Sequence, residues 1–466
     1  MAPAARSWMV RALPAFAVCL ALRLLFLAFF GERLTAFGYE HGFGLQALAL
    51  LDGRGLQVID ELVLKVDDQQ FHQLPHLVQP WQYPPPPQGA RAYYHATDMP
   101  GYPWILATTW RFMRQPTFWP VKFLQAIAGS LLLFPVCDIG RRLLGERTGT
   151  IAAWLFALWL PNAYLMQMAS KEAWEGIFVV LTAWFALRFM QDGGKRALAM
   201  ASLCLALATF MRANLMVLTG GICVVGLLCF PFRRVLLCFC VSYLFLFVCL
   251  VPWVVRNKRW IGPEVGVKEG FYWGIAGGLA MHDPALAKEV GALETRRVQP
   301  NGQPDDLFRE PAEIRDLTRK VLRNRPGWFL GIVAKNALGA PFCPLDWGHD
   351  LLSPEARSLR AFHEKTGHGL FAYLARHPLA FAFKFGTRLL ELAVGVMSLA
   401  VFWFRRDAWR PLLWVAACYW SFVAVYAPIH MEFRYIAPHT WALLILAAAC
   451  LANRFRIRYR APARHP

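Results

Sequence analysis

The chain has 466 residues, 57% of them hydrophobic, with 35 Phe and 19 Trp. That excludes a soluble domain of this length and indicates a polytopic helical membrane protein, since about 20 apolar residues suffice for one crossing. The formal net charge of +19 does not indicate nucleic acid, because the basic residues sit in short clusters between apolar runs and in the tail Arg454–Arg464. Membrane orientation and anionic headgroups produce that distribution.

The first apolar run, Ala12 to Phe30, follows Arg6 and Arg11 as in a signal peptide. It is long, contains Arg23 and lacks a convincing small-x-small site, so an uncleaved first span is expected. Further spans are expected over 117–140, 149–168, 173–190, 197–211, 214–232, 235–255, 383–404, 411–428 and 437–453. The fold class is therefore all-α, one integral-membrane domain over 1–466 with about ten to twelve crossings. Arg141–Arg142 with Arg147, Lys195–Arg196, Arg233–Arg234, Arg405–Arg406 with Arg410, and Arg454–Arg456 occupy alternate connections. Positive charge marks the cytoplasmic side, which puts both termini in the cytoplasm.

Two long segments then lie outside, 31–116 and 256–382. The first contains Tyr83-Pro84-Pro85-Pro86-Pro87, expected to run as polyproline. The second contains an amphipathic stretch from Glu310 to Leu330 and an apolar patch from Trp328 to Leu338, expected at the membrane interface. Of the eleven cysteines, Cys204, Cys223, Cys229, Cys238, Cys240 and Cys249 lie in apolar runs without metal-ligand spacing. They read as packing residues, and no structural metal is expected. No internal repeat supports an inverted-repeat transporter.

This threading carries Glu40, Asp98, Lys171–Glu172, Arg212, Arg256–Asn257 and Glu432–Arg434 to the outer side. A charge at the centre of a spanning helix costs roughly 2.5–3.5 kcal/mol, so such residues usually mark a function. Each has a plainer reading. Glu40 would be a solvated loop acid, Asp98 a turn cap before Pro100-Gly101-Tyr102-Pro103, and Lys171–Glu172 a hydrated hairpin capped by Ser170. Arg212 would snorkel to the interface, and Trp253 would belong to an aromatic belt. The belt does not explain the whole string Pro252-Trp253-Val254-Val255-Arg256-Asn257. In Glu432-Phe433-Arg434-Tyr435, Arg434 has the fork that fits a phosphate.

The order of four strings resembles the bacterial GT-C membrane glycosyltransferases, nearest the protein O-mannosyltransferase and aminoarabinose-transferase-like proteins of the cell envelope. The strings are Glu40 followed by Ala47 to Gly55, Asp98-Met99-Pro100-Gly101-Tyr102-Pro103, Pro252 to Asn257, and Glu432 to Pro438. Where many relatives carry two adjacent acids, this chain has Glu40 and then His41.

The resemblance implies a GT-C-like bundle with the outer loop 31–116 catalytic. It implies transfer of a sugar from a polyprenyl-phosphate donor to a lipid, glycan or protein acceptor, on the outer face of the bacterial cytoplasmic membrane. Direct displacement would invert the anomeric carbon. Glu40 and Asp98 are the catalytic candidates, with the general base open between them. Lys171, Glu172, Arg212, Arg256, Asn257, Glu432, Arg434 and Tyr435 are the candidates for phosphate and sugar. No cofactor and no metal site are expected, beyond weak divalent-cation binding at the two carboxylates. The rival readings are a flippase for lipid-linked sugars and a non-catalytic protein of the same fold.

Overall fold

The computed structural model describes residues 3–30, 39–51, 53, 55, 57–59, 92–94, 99–114, 117–168, 170–260, 265–268, 271–298, 312–343, 363, 366–367, 369–429, 431 and 433–458. The first span is α1 (Pro3–Phe30), and it is followed in the outer segment by α2 (Tyr39–Leu51). Two short strands, β1 (Gln57–Ile59) and β2 (Ala92–Tyr94), pair antiparallel with Gln57 opposite Tyr94, a small addition to an otherwise helical chain. The polyproline expectation at 83–87 lies outside the described residues.

There follow α3 (Gly101–Met113), α4 (Trp119–Leu131), α5 (Leu133–Leu144), α6 (Glu146–Leu158) and α7 (Leu160–Leu165). Next come α8 (Lys171–Asp192), α9 (Lys195–Met211), α10 (Met216–Gly226) and α11 (Phe232–Trp260). The second outer segment holds α12 (Phe271–Ala280), α13 (Pro284–Val298), α14 (Ala312–Asn324), α15 (Pro326–Gly339) and α16 (Leu370–Arg376). The chain closes with α17 (Pro378–Phe404), α18 (Trp409–Tyr426), α19 (Phe433–Ile436) and α20 (Thr440–Arg458).

Among the described residues, six stretches are each long and apolar enough to cross a bilayer: Trp8–Phe29, Trp119–Leu144, Lys171–Asp192, Phe232–Trp260, Ala380–Phe404 and Arg406–Tyr426. Each of the ten expected spans coincides with a helix or a pair of helices. Burial explains the arrangement. Helix α20 is apolar on all sides, and its residues from Thr440 to Cys450 are all buried, as a helix at the centre of a bundle must be. It is packed among α5, α6, α17 and α18. Tight connections rely on glycine: Gly145 between α5 and α6 has φ 100°, and Gly193 after α8 has φ 74°. Each donates its N–H back to the helix it ends, to Arg141 O at 3.0 Å and Phe189 O at 2.8 Å.

The basic connections meet at one end of the bundle. Arg142 reaches Asp138 at 2.9 Å on its own helix and Asp192 at 3.1 Å on α8. Arg234, at the start of α11, donates to the Gln191 carbonyl. Asn453 donates to Phe404 O at 3.1 Å. All eleven cysteines are free thiols; Cys204, Cys223 and Cys238 are buried, whereas Cys240 is exposed on α11.

At the opposite end, α12 to α15 bury a small apolar core of their own around Ile275, Leu279, Ile314 and Ile332. This layer rests on the connection after α18. A Cβ on Gly278 would fall 1.5 Å from Ile429 O, so only glycine permits that contact, and Asn336 donates to Ala427 O at 2.9 Å. Asp283 ties two of its helices together. One carboxylate oxygen accepts the N–H groups of Ala285 (2.9 Å) and Leu286 (3.2 Å) at the start of α13, and the other accepts Arg325 at 2.7 Å.

The Leu286 N–H, then Arg325, hold the Asp283 carboxyl below its ordinary value. A lowered folded value means that the tie is complete above the unfolded carboxylate pKa, about 4, and is lost as pH falls through the folded value. Hydrogen exchange over 284–298, corrected for intrinsic rate, should accelerate in the wild type only under that acid condition. In Asp283→Ala it should be fast at neutral pH as well. Equal protection in both proteins at pH 7 would remove Asp283 as the tie.

Candidate functional site at the outer ends of the helices

Helix α8 begins after Ser170, which is extended (φ −137°, ψ 159°), so its first turn faces the outer segment. Lys171 Nζ lies 5.4 Å from the centre of the Phe43 ring on α2. Phe43 packs edge-on against Tyr102 of α3 at 5.2 Å. It also lies one helical turn after residue 40, on the same side of α2. The backbone at Glu40 is thus in the first turn of α2, close to Lys171. The Glu40 side chain lies outside the described residues, as does all of Asp98.

The string after Asp98 is anchored from two directions. A Cβ on Gly101 would fall 2.6 Å from Phe210 O and 2.3 Å from the Met211 methyl, so this glycine admits direct contact with the end of α9. Met99 is buried with Ala213, Leu250 and Trp253. The proline-tyrosine-proline string therefore sits between the elbow at Arg212 and the outer part of α11.

At that elbow α9 stops, Arg212 turns extended (φ −153°, ψ 115°), and a single 3-10 turn, Ala213–Leu215, leads into α10. The break sends the guanidinium into the bundle. Its Nη2 donates to Glu172 Oε1 at 2.6 Å, Nη1 donates to the Tyr426 hydroxyl at 2.8 Å, and Nε lies 2.9 Å from Glu175 Oε2. The group lies over the ring of Tyr435 at 4.8 Å, and Tyr435 stacks on Tyr426 at 4.8 Å. His439 Nε2 is 3.4 Å from Glu175 Oε1, and its ring stacks on Phe422 at 3.7 Å. Arg212 is 4% exposed, Glu172 7%, and Glu175 and His439 0%.

Arg212 does not snorkel: it is buried and paired with the equally buried Glu172 inside the protein. Glu172 and Glu175, three residues apart, share one face of α8, and that face meets the elbow. Tyr435 belongs to the same cluster. Arg434 precedes it in α19 by backbone position, with its side chain outside the described residues, and Glu432 lies outside them entirely.

The third string is helical rather than a loop, because α11 continues through Pro252 to Trp260. Arg256 is half-buried, stacks on Trp253 at 4.7 Å and donates to Asn257 Oδ1 at 2.8 Å. Asn257 is 0% exposed and donates to Gly266 O at 2.9 Å, while the Trp253 indole donates to Val267 O at 2.8 Å. Asn257 thus braces the chain entering the second outer segment. Tyr426 and His439 carry no signal in their local sequence. Glu175 does, as an acid one turn inside an apolar run.

Residues 95–256 match the family model of the dolichyl-phosphate-mannose-protein mannosyltransferases. Among solved structures, the archaeal oligosaccharyltransferase AglB from Archaeoglobus fulgidus, in complex with an inhibitory peptide and a dolichol-phosphate, aligns over 98% of this chain and 52% of its own. The identity is 14% and the TM-score 0.50. The same organism's oligosaccharyltransferase tethered to an acceptor peptide aligns over 97% and 50%, with 14% identity and a TM-score of 0.52. The chain has the GT-C fold. The GT-C resemblance read from the sequence is borne out at that level, and the all-α polytopic membrane class with it. ArnT from Cupriavidus metallidurans bound to undecaprenyl phosphate aligns over 99% of this chain and 82% of its own, at 13% identity and a TM-score of 0.39. This GT-C chain spans about half the length of the oligosaccharyltransferase structures it matches. No curated protein matches its sequence.

Proposed function

We propose that the protein transfers a sugar from a polyprenyl-phosphate donor to a lipid, glycan or protein acceptor, on the outer face of the bacterial cytoplasmic membrane. One observation carries the reading: the mannosyltransferase family match over 95–256 includes Met99–Pro103, Lys171 and Arg212, which meet at one end of the bundle. The donor's tail must stay in lipid, so a site at the ends of spanning helices suits it. Its leaving group is a phosphate, and fixed cations stabilise the charge that develops there. Lys171, Arg256 and Arg434 are the cations we assign to it. The acceptor hydroxyl needs a carboxylate to take its proton, and Glu40 or Asp98 supplies it. Attack opposite the departing phosphate inverts the anomeric carbon.

The test is transfer by the protein in lipid nanodiscs given a polyprenyl-phosphate sugar and a mixed envelope extract as acceptor. Donor should be consumed and glycosylated product formed, unchanged by a chelator of divalent cations. Arg256→Ala should raise the KM for donor more than that for acceptor. An effect confined to the acceptor would contradict the phosphate role, and no donor consumption by the wild type would end the proposal.

A further inference from the structure

The Arg212 cluster brings two buried carboxylates to one guanidinium. Glu172 lies 2.6 Å from Nη2, and Glu175, at 0% exposure, lies 2.9 Å from Nε. A buried ionic group of this kind commonly costs stability relative to apolar packing, so its presence calls for a geometric reason. The connections supply one. Through Glu172 and Glu175 the guanidinium fixes both the rotation and the first turn of α8, where Lys171 is the first residue. Through the ring of Tyr435 it fixes α19, where residue 434 comes immediately before. Through Glu175 and His439 it fixes the turn that starts α20.

We infer that Glu175 and Arg212 are positioning residues, which set Lys171 and the Arg434–Tyr435 turn for the donor phosphate without touching it. The assignment rests on the function proposed above. Arg212 Nη1 and Nη2 donate to Tyr426 and Glu172, its Nε lies 2.9 Å from Glu175, and Glu175 is wholly covered, so both are enclosed by protein groups. Glu175 is the more informative of the two to alter. Glu175→Gln keeps the shape, removes one buried charge and leaves the Arg212–Glu172 pair in place.

The experiment uses the full chain in nanodiscs and two readouts. The first is the rate at which an amine-acylating reagent modifies Lys171, measured by mass spectrometry. The second is transfer kinetics with a polyprenyl-phosphate sugar. In Glu175→Gln, Lys171 should acylate several-fold faster or slower than in the wild type, and transfer should fall on the order of 10²-fold, the scale of a misplacement near 1 Å. The triple variant Glu172→Leu, Glu175→Leu, Arg212→Met removes all three charges together and should fold. It should show the same altered Lys171 reactivity and the same loss, which a purely structural cluster would not. Wild-type Lys171 reactivity in a folded Glu175→Gln or triple variant would overturn the inference. A wild type that consumes no donor would refute the transfer reading instead, while the acylation rates would still decide the positioning role.

Discussion

Arg212→Ala should be the most destabilising single substitution in the site, costing about 3–5 kcal/mol, because it removes the guanidinium that two buried carboxylates face. Glu172 and Glu175 are 7% and 0% exposed, so water cannot replace the guanidinium. Arg212→Lys should recover little, since one ammonium on a flexible stem cannot meet Glu172, Glu175 and Tyr426 at once and cannot stack on Tyr435 in the same way. Adding Glu172→Gln and Glu175→Gln to Arg212→Ala should restore much of the loss, because neutral amides are cheaper to bury than unpaired charges. Thermal unfolding of the detergent-solubilised protein distinguishes these cases. If Arg212→Ala melts with the wild type, the carboxylates are solvated and the cluster as described is wrong.

The large architecture was legible because the bilayer leaves few options for an apolar chain. Ten apolar runs, separated by alternating basic connections, already imply a helical bundle with two distinguishable ends. Contacts such as Arg142 with Asp192 give the basic end a physical form. Helix boundaries were less legible. The run 149–168 is broken at Trp159 (ψ 90°) just before Pro161, which sits at the start of α7. The run 235–255 goes on to Trp260, because Pro252 bends a helix more easily than it ends one inside a bundle. Helix α3 was not foreseen, since its proline-glycine lead reads as a turn.

The site was half legible. A charged residue at the edge of an apolar run announces itself, and Lys171, Glu172, Arg212 and Arg256 were found that way. Their partners were not. Tyr426 meets Arg212 across 214 positions, and His439 meets Glu175 from the far end of the chain. Nothing local distinguishes a tyrosine that accepts a buried guanidinium from one in an aromatic belt. For the same reason the sequence presented Arg212 as an open cation: its charge was visible and its two acids were not recognised as its own.

The second large effect is expected at the acids of the first outer segment. If one of them takes the acceptor proton, replacing it by its amide should lower kcat by about 10²–10⁴, the usual range for a lost general base. The amide of the other should act mainly on KM. Glu40 has the stronger structural argument, because its place in the first turn of α2 is set by Phe43, which Lys171 covers and Tyr102 supports. If Glu40 is the base and Lys171 holds the leaving phosphate, the two must flank one anomeric carbon. Asp98 directly precedes Met99 in the sequence, and Met99 is buried with Ala213 and Trp253. Kinetics of Glu40→Gln and Asp98→Asn with a polyprenyl-phosphate sugar should therefore separate: a fall in kcat identifies the base, and a rise in KM identifies the acid that holds a substrate. Full transfer by both variants would mean that neither carboxylate takes the proton. In that case the phosphate leaving group would carry the catalysis through Lys171, Arg256 and Arg434, and Arg256→Ala would become the more damaging change.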